Sequence, residues 1–363
     1  MKDIVRPARL LTPNSIWNSF LNSDKRHIVL TGDRGAGKTT LLHKLFGGKL
    51  PCGITTYAIH KQGVYMHENG SDHKVTIGIY DDNIEHKNKM RPCTDAFKTF
   101  GVGLVNKLAQ RDDEWVCIDE IGFLEAECHE YCNAIHSLFD KKRVVAVVRK
   151  QSLEFLQSIC NRKDVFLIDL DNPFGDISCV IMASGEGKRF GANKLMASFN
   201  GKPMIAGALD ITDNLFDKRV VVTRHNDVAR LCQERGVKYV LHDLPYRSDT
   251  IRLGINAVSQ TDACIFVPGD QPLLTKDSII SLALASKNNR NNIWRMTYDG
   301  KNGMPVVFPQ WALDSLLSLP QGEGGSFVIK QYPQLLKTIK AQNKFELMDV
   351  DTPEDLEFLQ QQN

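Results

Sequence analysis

The chain has 363 residues, 42% of them hydrophobic and 24% charged, with a formal net charge of +2, an ordinary balance for a globular protein. That length suggests two domains, each able to bury its own core. The near-neutral charge leaves no footprint for nucleic acid or an anionic membrane, and no apolar run approaches the roughly 20 residues that span a bilayer. The opening MKDIVRPARLL lacks an apolar core followed by a small-residue cleavage site, so no signal peptide is expected. Nine cysteines are scattered without a paired framework. Several sit inside apolar strand patterns (Cys117, Cys179, Cys264) and read as small buried hydrophobes of a reducing, cytoplasmic setting.

Residues 1–26 read as a short helical N-terminal extension. The first strand pattern, 27–32, runs into GDRGAGKTT. Here Gly32, Gly35 and Gly37 let backbone N–H groups curl round a β-phosphate, Lys38 can bridge β- and γ-phosphates, and the Thr39 hydroxyl, with Thr40 beside it, can meet Mg²⁺. Leu41, Leu42, Leu45 and Phe46 mark the helix that should follow. Further strands are predicted at 74–80, 115–119, 143–148 and 165–170. The third of the five strands ends in Asp119-Glu120. Asp119 is placed to hold Mg²⁺ through water, and Glu120 to polarise an attacking water. Arg149-Lys150, at the end of the fourth, could reach a γ-phosphate or could be a solvated strand end. A junction is expected at Asp171-Asn172-Pro173-Phe174-Gly175-Asp176, where turn residues separate two complete strand patterns.

The second half repeats the alternation, with strands at 179–184, 218–224, 238–243, 263–270 and 304–309. The first of these leads into a second glycine loop, Ala183-Ser184-Gly185-Glu186-Gly187-Lys188-Arg189-Phe190-Gly191-Ala192-Asn193-Lys194, which should open a helix. Gly185 and Gly187 permit close approach to a triphosphate, while Arg189 and Lys194 would neutralise a leaving pyrophosphate. Phe190 and Leu195 are expected to pack beneath the loop. Asp270, ending the strand before Gln271-Pro272, suits Mg²⁺. Asp349 and Asp351 offer a second carboxylate, with Asp351 taken as the ligand. Thr352-Pro353-Glu354-Asp355 also reads as an ordinary helix start. Throughout, strand-length and helix-length patterns alternate, which predicts an α/β fold with parallel sheets covered on both faces.

Two family resemblances follow from these residues. The early loop, Gly53-Ile54-Thr55-Thr56, Gly63-Val64-Tyr65, Ala96-Phe97 before Gly101-Val102, Asp119-Glu120-Ile121-Gly122 and Glu125 resemble the small P-loop nucleoside-triphosphatases with a DEIG-type Walker B motif. That resemblance implies a domain at 27–172 and slow hydrolysis of nucleoside triphosphates with loose base preference. Asp33-Arg34 departs from the family's small residue and proline. The alternative is a GTP-binding adaptor half of the kind that accompanies molybdenum-cofactor enzymes, although such a half needs no Glu120.

The Ala183–Lys194 loop, Ser248–Gly254, Gly269-Asp270-Gln271-Pro272, Gly303-Met304-Pro305, Gly322–Gly325 and Asp349–Leu356 resemble the MobA-like NTP transferases, nearest the molybdopterin cytidylyltransferases. This implies a Rossmann-like nucleotidyltransferase domain at 177–363, so that the chain holds two three-layer α/β/α domains. It also implies CTP, or else GTP or ATP, with Mg²⁺, a molybdopterin-type acceptor, and a molybdenum hydroxylase apo-enzyme as a further partner. Ser248, Thr250 and Arg252 would then line the acceptor or base pocket. Ser184 and Gln321-Gly322-Glu323-Gly324-Gly325, with Glu323 as its acid, depart from the family pattern and leave a sugar- or polyol-phosphate acceptor open. No nucleic-acid or membrane partner is implied. Cys128-His129 and Cys132 could suggest metal ligands but fall in a helix pattern with no second cluster.

Overall fold

In the computed structural model, residues 7–84 and 89–362 are described; residues 1–6 of the expected extension lie outside them. The chain divides into two compact units, one of Asp24–Pro173 and one joining the residues up to Ser23 to Phe174–Asn363. No helix among the described residues is long and apolar enough to cross a membrane.

In the Asp24–Pro173 unit the strands are β1 (His27–Thr31), β2 (Gly53–Ile59), β3 (Gly63–Glu68), β4 (Lys74–Tyr80), β5 (Met90–Pro92), β6 (Trp115–Ile121), β7 (Arg143–Val148) and β8 (Val165–Asp169). They form one sheet in the order β5-β4-β3-β2-β6-β7-β1-β8. The sheet is parallel through its centre, as the alternation of elements implies, and carries an antiparallel extension at one edge. Strands β2, β6, β7, β1 and β8 run parallel to one another, whereas β2 to β5 form the antiparallel extension. Alternate residues of the sheet, Val29, Ile54, Met66, Val116, Ile118 and Val144 among them, pack against Leu104, Leu108, Ile135 and Phe139 of two helices. On the other face lies a helix after the first loop, whose Leu41, Leu42 and Leu45 are buried.

In the other unit β9 (Ile177–Ala183) is followed by a hairpin of β10 (Ser198–Phe199) and β11 (Lys202–Pro203). Then come β12 (Arg219–Thr223), β13 (Tyr239–Leu241), β14 (Ala263–Pro268), β15 (Ile293–Tyr298), β16 (Lys301–Pro309) and β17 (Leu336–Lys340). The main sheet runs β13-β12-β9-β14-β16-β15-β17. Here too the sheet is mixed, since β16 lies antiparallel to both neighbours. The N-terminal segment belongs to this unit. Its helix α1 (Pro13–Leu21) starts on Thr12, whose hydroxyl accepts from Ser15 N, with proline in its first turn, the expected start chemistry. Ile16 and Phe20 are fully buried. Thr12 Oγ1 donates to Asp277 Oδ1 at 2.9 Å, and Ser19 Oγ donates to the Ser281 carbonyl at 2.9 Å. Both partners lie on the helix Lys276–Asn288.

Candidate nucleotide sites

Helix α2 (Lys38–Leu45) begins at Gly37, whose φ of +98° is the left-handed conformation that a side chain would strain. The loop before it therefore turns tightly and aims the first N–H groups of α2 at its own concavity, an anion site. Lys38 Nζ donates to the carbonyls of Gly32 at 2.9 Å and Asp33 at 3.0 Å. Thr39 Oγ1 donates to Asp119 Oδ1 at 3.1 Å, so the structure brings the loop hydroxyl and the strand acid together. Gly35, Thr39 and Thr40 face solvent. Burial pushes the Asp119 carboxyl above its usual range; the Thr39 hydrogen bond opposes this and the neighbouring Glu120 charge adds to it. Hydroxyl and carboxylate oxygens in contact are a donor set that fits Mg²⁺.

Glu120 is set by β2 and by the strand end after β7. The Thr56 hydroxyl donates to the Glu120 carbonyl at 3.0 Å and accepts from Glu120 N at 3.1 Å. The Glu120 side chain pairs through Oε1 with Arg149 Nε at 2.9 Å. Just beyond, Gly122 N donates at 2.9 Å to Glu125 Oε2. Glu125 is buried, and that burial raises its carboxyl to about 7. Lys150 instead meets Asp169 at 2.9 Å and Asp171 at 3.0 Å, and Asp171 accepts from Asp33 N at 2.8 Å. Asp171 thus braces the loop. In the sequence this junction residue carries no signal beyond that of a turn former. Cys128 and Cys132 are buried in this unit's core, with Cys132 Sγ directed at the Glu125 carbonyl at 3.4 Å.

The second loop differs from expectation. It follows β9 but leads into a single 3-10 turn, Lys194–Met196, and then the β10–β11 hairpin; the next helix begins at Ile205. Gly187 has a φ of +60°, and a Cβ there would lie 2.8 Å from the Ala192 carbonyl oxygen. Phe190 is half-exposed, not packed beneath the loop, whereas Leu195 is buried. Four predicted residues converge. Lys194 Nζ lies 2.8 Å from Asp270 Oδ2 and 3.0 Å from Asp351 Oδ1, and Arg189 Nη2 lies 2.6 Å from Asp351 Oδ2. Burial would lower the Lys194 ammonium, but Asp270 and Asp351 outweigh it and hold it above the ordinary lysine range. Val350 N donates to the Asp270 carbonyl at 2.9 Å, which fastens the C-terminal segment to the end of β14. Thr352 and Asp355 cap the helix reciprocally, the expected helix start, and Asp351 meets Lys194. Asp349 accepts from Gln271 Nε2 at 2.9 Å; burial and the nearby Asp270 charge raise its carboxyl.

Other predicted residues are engaged elsewhere. Ser184 Oγ donates to the Val222 carbonyl at 3.0 Å and lies 2.9 Å from His242 Nε2. His242 could have been flagged in sequence as a polar residue at the carboxyl end of a neighbouring strand. Ser248 Oγ accepts from Gly322 N at 3.3 Å, and Arg252 bonds Asp249 at 2.8 Å and the Leu319 carbonyl at 2.9 Å. Thr250 is buried and Glu323 exposed. No group of three or more His, Cys, Asp or Glu that could hold a metal occurs among the described residues.

A P-loop on one sheet and a cationic glycine loop with a strand-end acid on another define a two-part nucleotide enzyme of the α/β class. Residues 27–174 match the family profile described as NTPase, and residues 179–336 match that of the MobA-like NTP transferase domain. The chain therefore joins a nucleoside-triphosphatase half to a nucleotidyltransferase half. Nucleoside-triphosphatase THEP1 of Thermotoga sp. is 29% identical over 159 residues, 40% of this chain and 86% of that protein. A "Probable molybdenum cofactor guanylyltransferase" of Pyrococcus horikoshii is 28% identical over 112 residues, 30% of this chain and 56% of that protein. A solved nucleotidyl transferase from Methanothermobacter thermautotroptrophicus superposes with a TM-score of 0.44 at 20% identity, covering 52% of this chain and 99% of that one.

Proposed function

We propose that the chain is a bifunctional enzyme of molybdenum-cofactor maturation, transferring a nucleotidyl group to a molybdopterin-type acceptor at one site and hydrolysing nucleoside triphosphate at the other. The observation that carries the transfer is Lys194 held between Asp270 and Asp351, with Arg189 on the second oxygen of Asp351. Two carboxylates suit Mg²⁺, which is commonly held by one or two carboxylates plus substrate phosphates and water. Asp270 and Asp351 would hold the ion, which when bound neutralises phosphate charge. Lys194 supplies a point charge, and Arg189 a planar fork for phosphate oxygens. A phosphate oxygen of the acceptor attacks the α-phosphorus, and the bond to the bridging oxygen breaks. Pyrophosphate leaves with the electron pair, its charge met by Arg189 and the N–H groups of the glycine loop. CTP is the nucleotide of this reading. The guanylyltransferase relative favours GTP as a second one.

In the hydrolytic half Lys38 would turn from the loop carbonyls to the β- and γ-phosphates. Thr39 and Asp119 would hold Mg²⁺, and Glu120 would polarise the attacking water. The test is to supply α-labelled CTP, GTP and ATP, each with and without molybdopterin, and to record pyrophosphate and orthophosphate separately. One triphosphate should give acceptor-dependent pyrophosphate. Asp270→Ala should abolish that product and spare orthophosphate, and Lys38→Ala should do the reverse. Unchanged pyrophosphate release in Asp270→Ala would remove the site assignment.

A further inference from the structure

We propose that Arg149 is a latch on Glu120 that a γ-phosphate opens; this rests on reading Glu120 as the water-polarising group. Strand β7 lies between β6, which carries Asp119 and Glu120, and β1, which feeds the phosphate loop. Arg149 directly follows β7, so it emerges on the edge of the sheet between the acid and the loop. Its root is fixed, since Arg149 N donates to the Ile121 carbonyl at 2.9 Å. Its Nε donates to Glu120 Oε1 at 2.9 Å. The side chain passes over Gly122, where a Cβ would lie 3.0 Å from Arg149 Cδ and 3.4 Å from its Nε. The absence of a side chain at 122 is thus what gives the arginine its path. The neighbouring cation, Lys150, is already committed to Asp169 and Asp171. Of this basic pair, only Arg149 touches the acid of the site.

The pair is easily switched. The Arg149 side chain is 40% exposed and that of Glu120 24%, and ion pairs so open to water contribute little, about 0–1 kcal/mol. A γ-phosphate carries more charge and offers paired oxygens that match the guanidinium fork. When it fills the loop, Arg149 moves to it and Glu120 is freed beside the phosphorus that water must attack. A diphosphate lacks that group, so the latch closes again after phosphate leaves. Arg149 acts through Glu120 and the γ-phosphate, as a positioning residue.

The experiment measures binding of ADP and of a non-hydrolysable ATP analogue to the full chain, together with hydrolysis. Arg149→Ala should weaken the triphosphate analogue by roughly tenfold, the scale of one lost hydrogen bond to a charged group, and leave ADP unchanged. Glu120→Gln should tighten the analogue by releasing Arg149, and that gain should vanish in the double variant. Gly122→Ala, which crowds Arg149 without touching the acid, should give a similar gain. Equal losses for ADP and analogue in Arg149→Ala, or unchanged analogue binding in Glu120→Gln, overturn the latch. If Glu120→Gln hydrolyses at the wild-type rate while the analogue affinities split as described, the latch stands and the water-polarising role of Glu120 falls.

Discussion

Phe20→Ala should loosen the transferase-type unit, although Phe20 lies close in sequence to the start of the NTPase-type unit. Phe20 is 1% exposed, its ring meets Trp17 edge-on at 5.9 Å, and its helix packs on Lys276–Asn288. Truncating a fully buried phenylalanine costs about 3–5 kcal/mol, a large share of the roughly 5–15 kcal/mol that holds a domain together. For a unit of this size each kcal/mol lowers the melting temperature by about 2–4 °C, so a drop near 10 °C is expected. Amide hydrogen exchange resolved by segment is the assay. Amides of 276–288 and of β15 should exchange about two to four orders of magnitude faster, and those of β1 and β7 should keep their protection. Leu21→Ala, at a position 68% exposed, serves as the control and should stay within about 0.5 kcal/mol of the parent. If Phe20→Ala instead releases β1 and β7 and leaves 276–288 protected, the assignment of α1 to the transferase-type unit is wrong.

Two pH effects should separate in the Asp24–Pro173 unit. His27 is fully buried, accepts from Val144 N on Nδ1 at 3.1 Å and lies 3.2 Å from Asp164 on Nε2. Burial, only partly offset by Asp164, lowers it from 6.5 to about 4, so the folded state favours the neutral ring. Stability should be intact above pH 6.5 and fall by up to about 3 kcal/mol as pH drops toward 4; His27→Gln, followed by urea unfolding against pH, should flatten this limb. Glu125 moves oppositely, from 4.5 to about 7. The folded state favours its protonated form, so stability is greatest below pH 4.5 and declines as pH rises to about 7. Glu125→Gln should match the parent at pH 4 and exceed it by up to about 3 kcal/mol at pH 8. Parallel curves for parent and variant would show that Glu125 does not titrate in this window.

The apolar runs were legible because burial on both faces writes a continuous pattern. The expected 143–148 coincides with Arg143–Val148, buried from Val144 onward; the expected 74–80 coincides with Lys74–Tyr80 although only Ile77 and Gly78 are buried there. Two of the strands without that signal are wetter. In Gly53–Ile59 burial falls from Gly53 and Ile54 to the exposed Tyr57 and Ala58, and Leu336–Lys340 is only partly buried. Such strands carry half the signal. The convergence of Lys194, Asp270 and Asp351 could be anticipated from residue types at strand ends. The Arg149–Glu120 pair could not, because it depends on which strand lies between two others, and strand order is not written in a local pattern. The place of α1 was hidden for a similar reason. Its partner helix lies far along the chain, and a stripe of Ser278, Ser281 and Ala285 on that helix is equally compatible with facing solvent or a small-residue contact.

The two glycine loops solve one electrostatic problem by different means. In the first, the loop ends in an α-helix eight residues long, so aligned backbone dipoles and free N–H groups supply positive potential where phosphates would lie. Within the loop a single lysine stands beside them, and the acids Asp119 and Glu120 can stand nearby. In the second, the loop ends in a turn of three residues, too short to sum any dipole. More of the positive charge must then come from side chains: Arg189 and Lys194 reach the acids of the site, whereas Lys188 pairs with Glu186. Asp270 and Asp351 pair with Arg189 and Lys194 through the same oxygens that would hold a metal ion. It follows that replacing Lys194 should cost this site more than replacing any one N–H donor would cost the first, because no helix stands behind it.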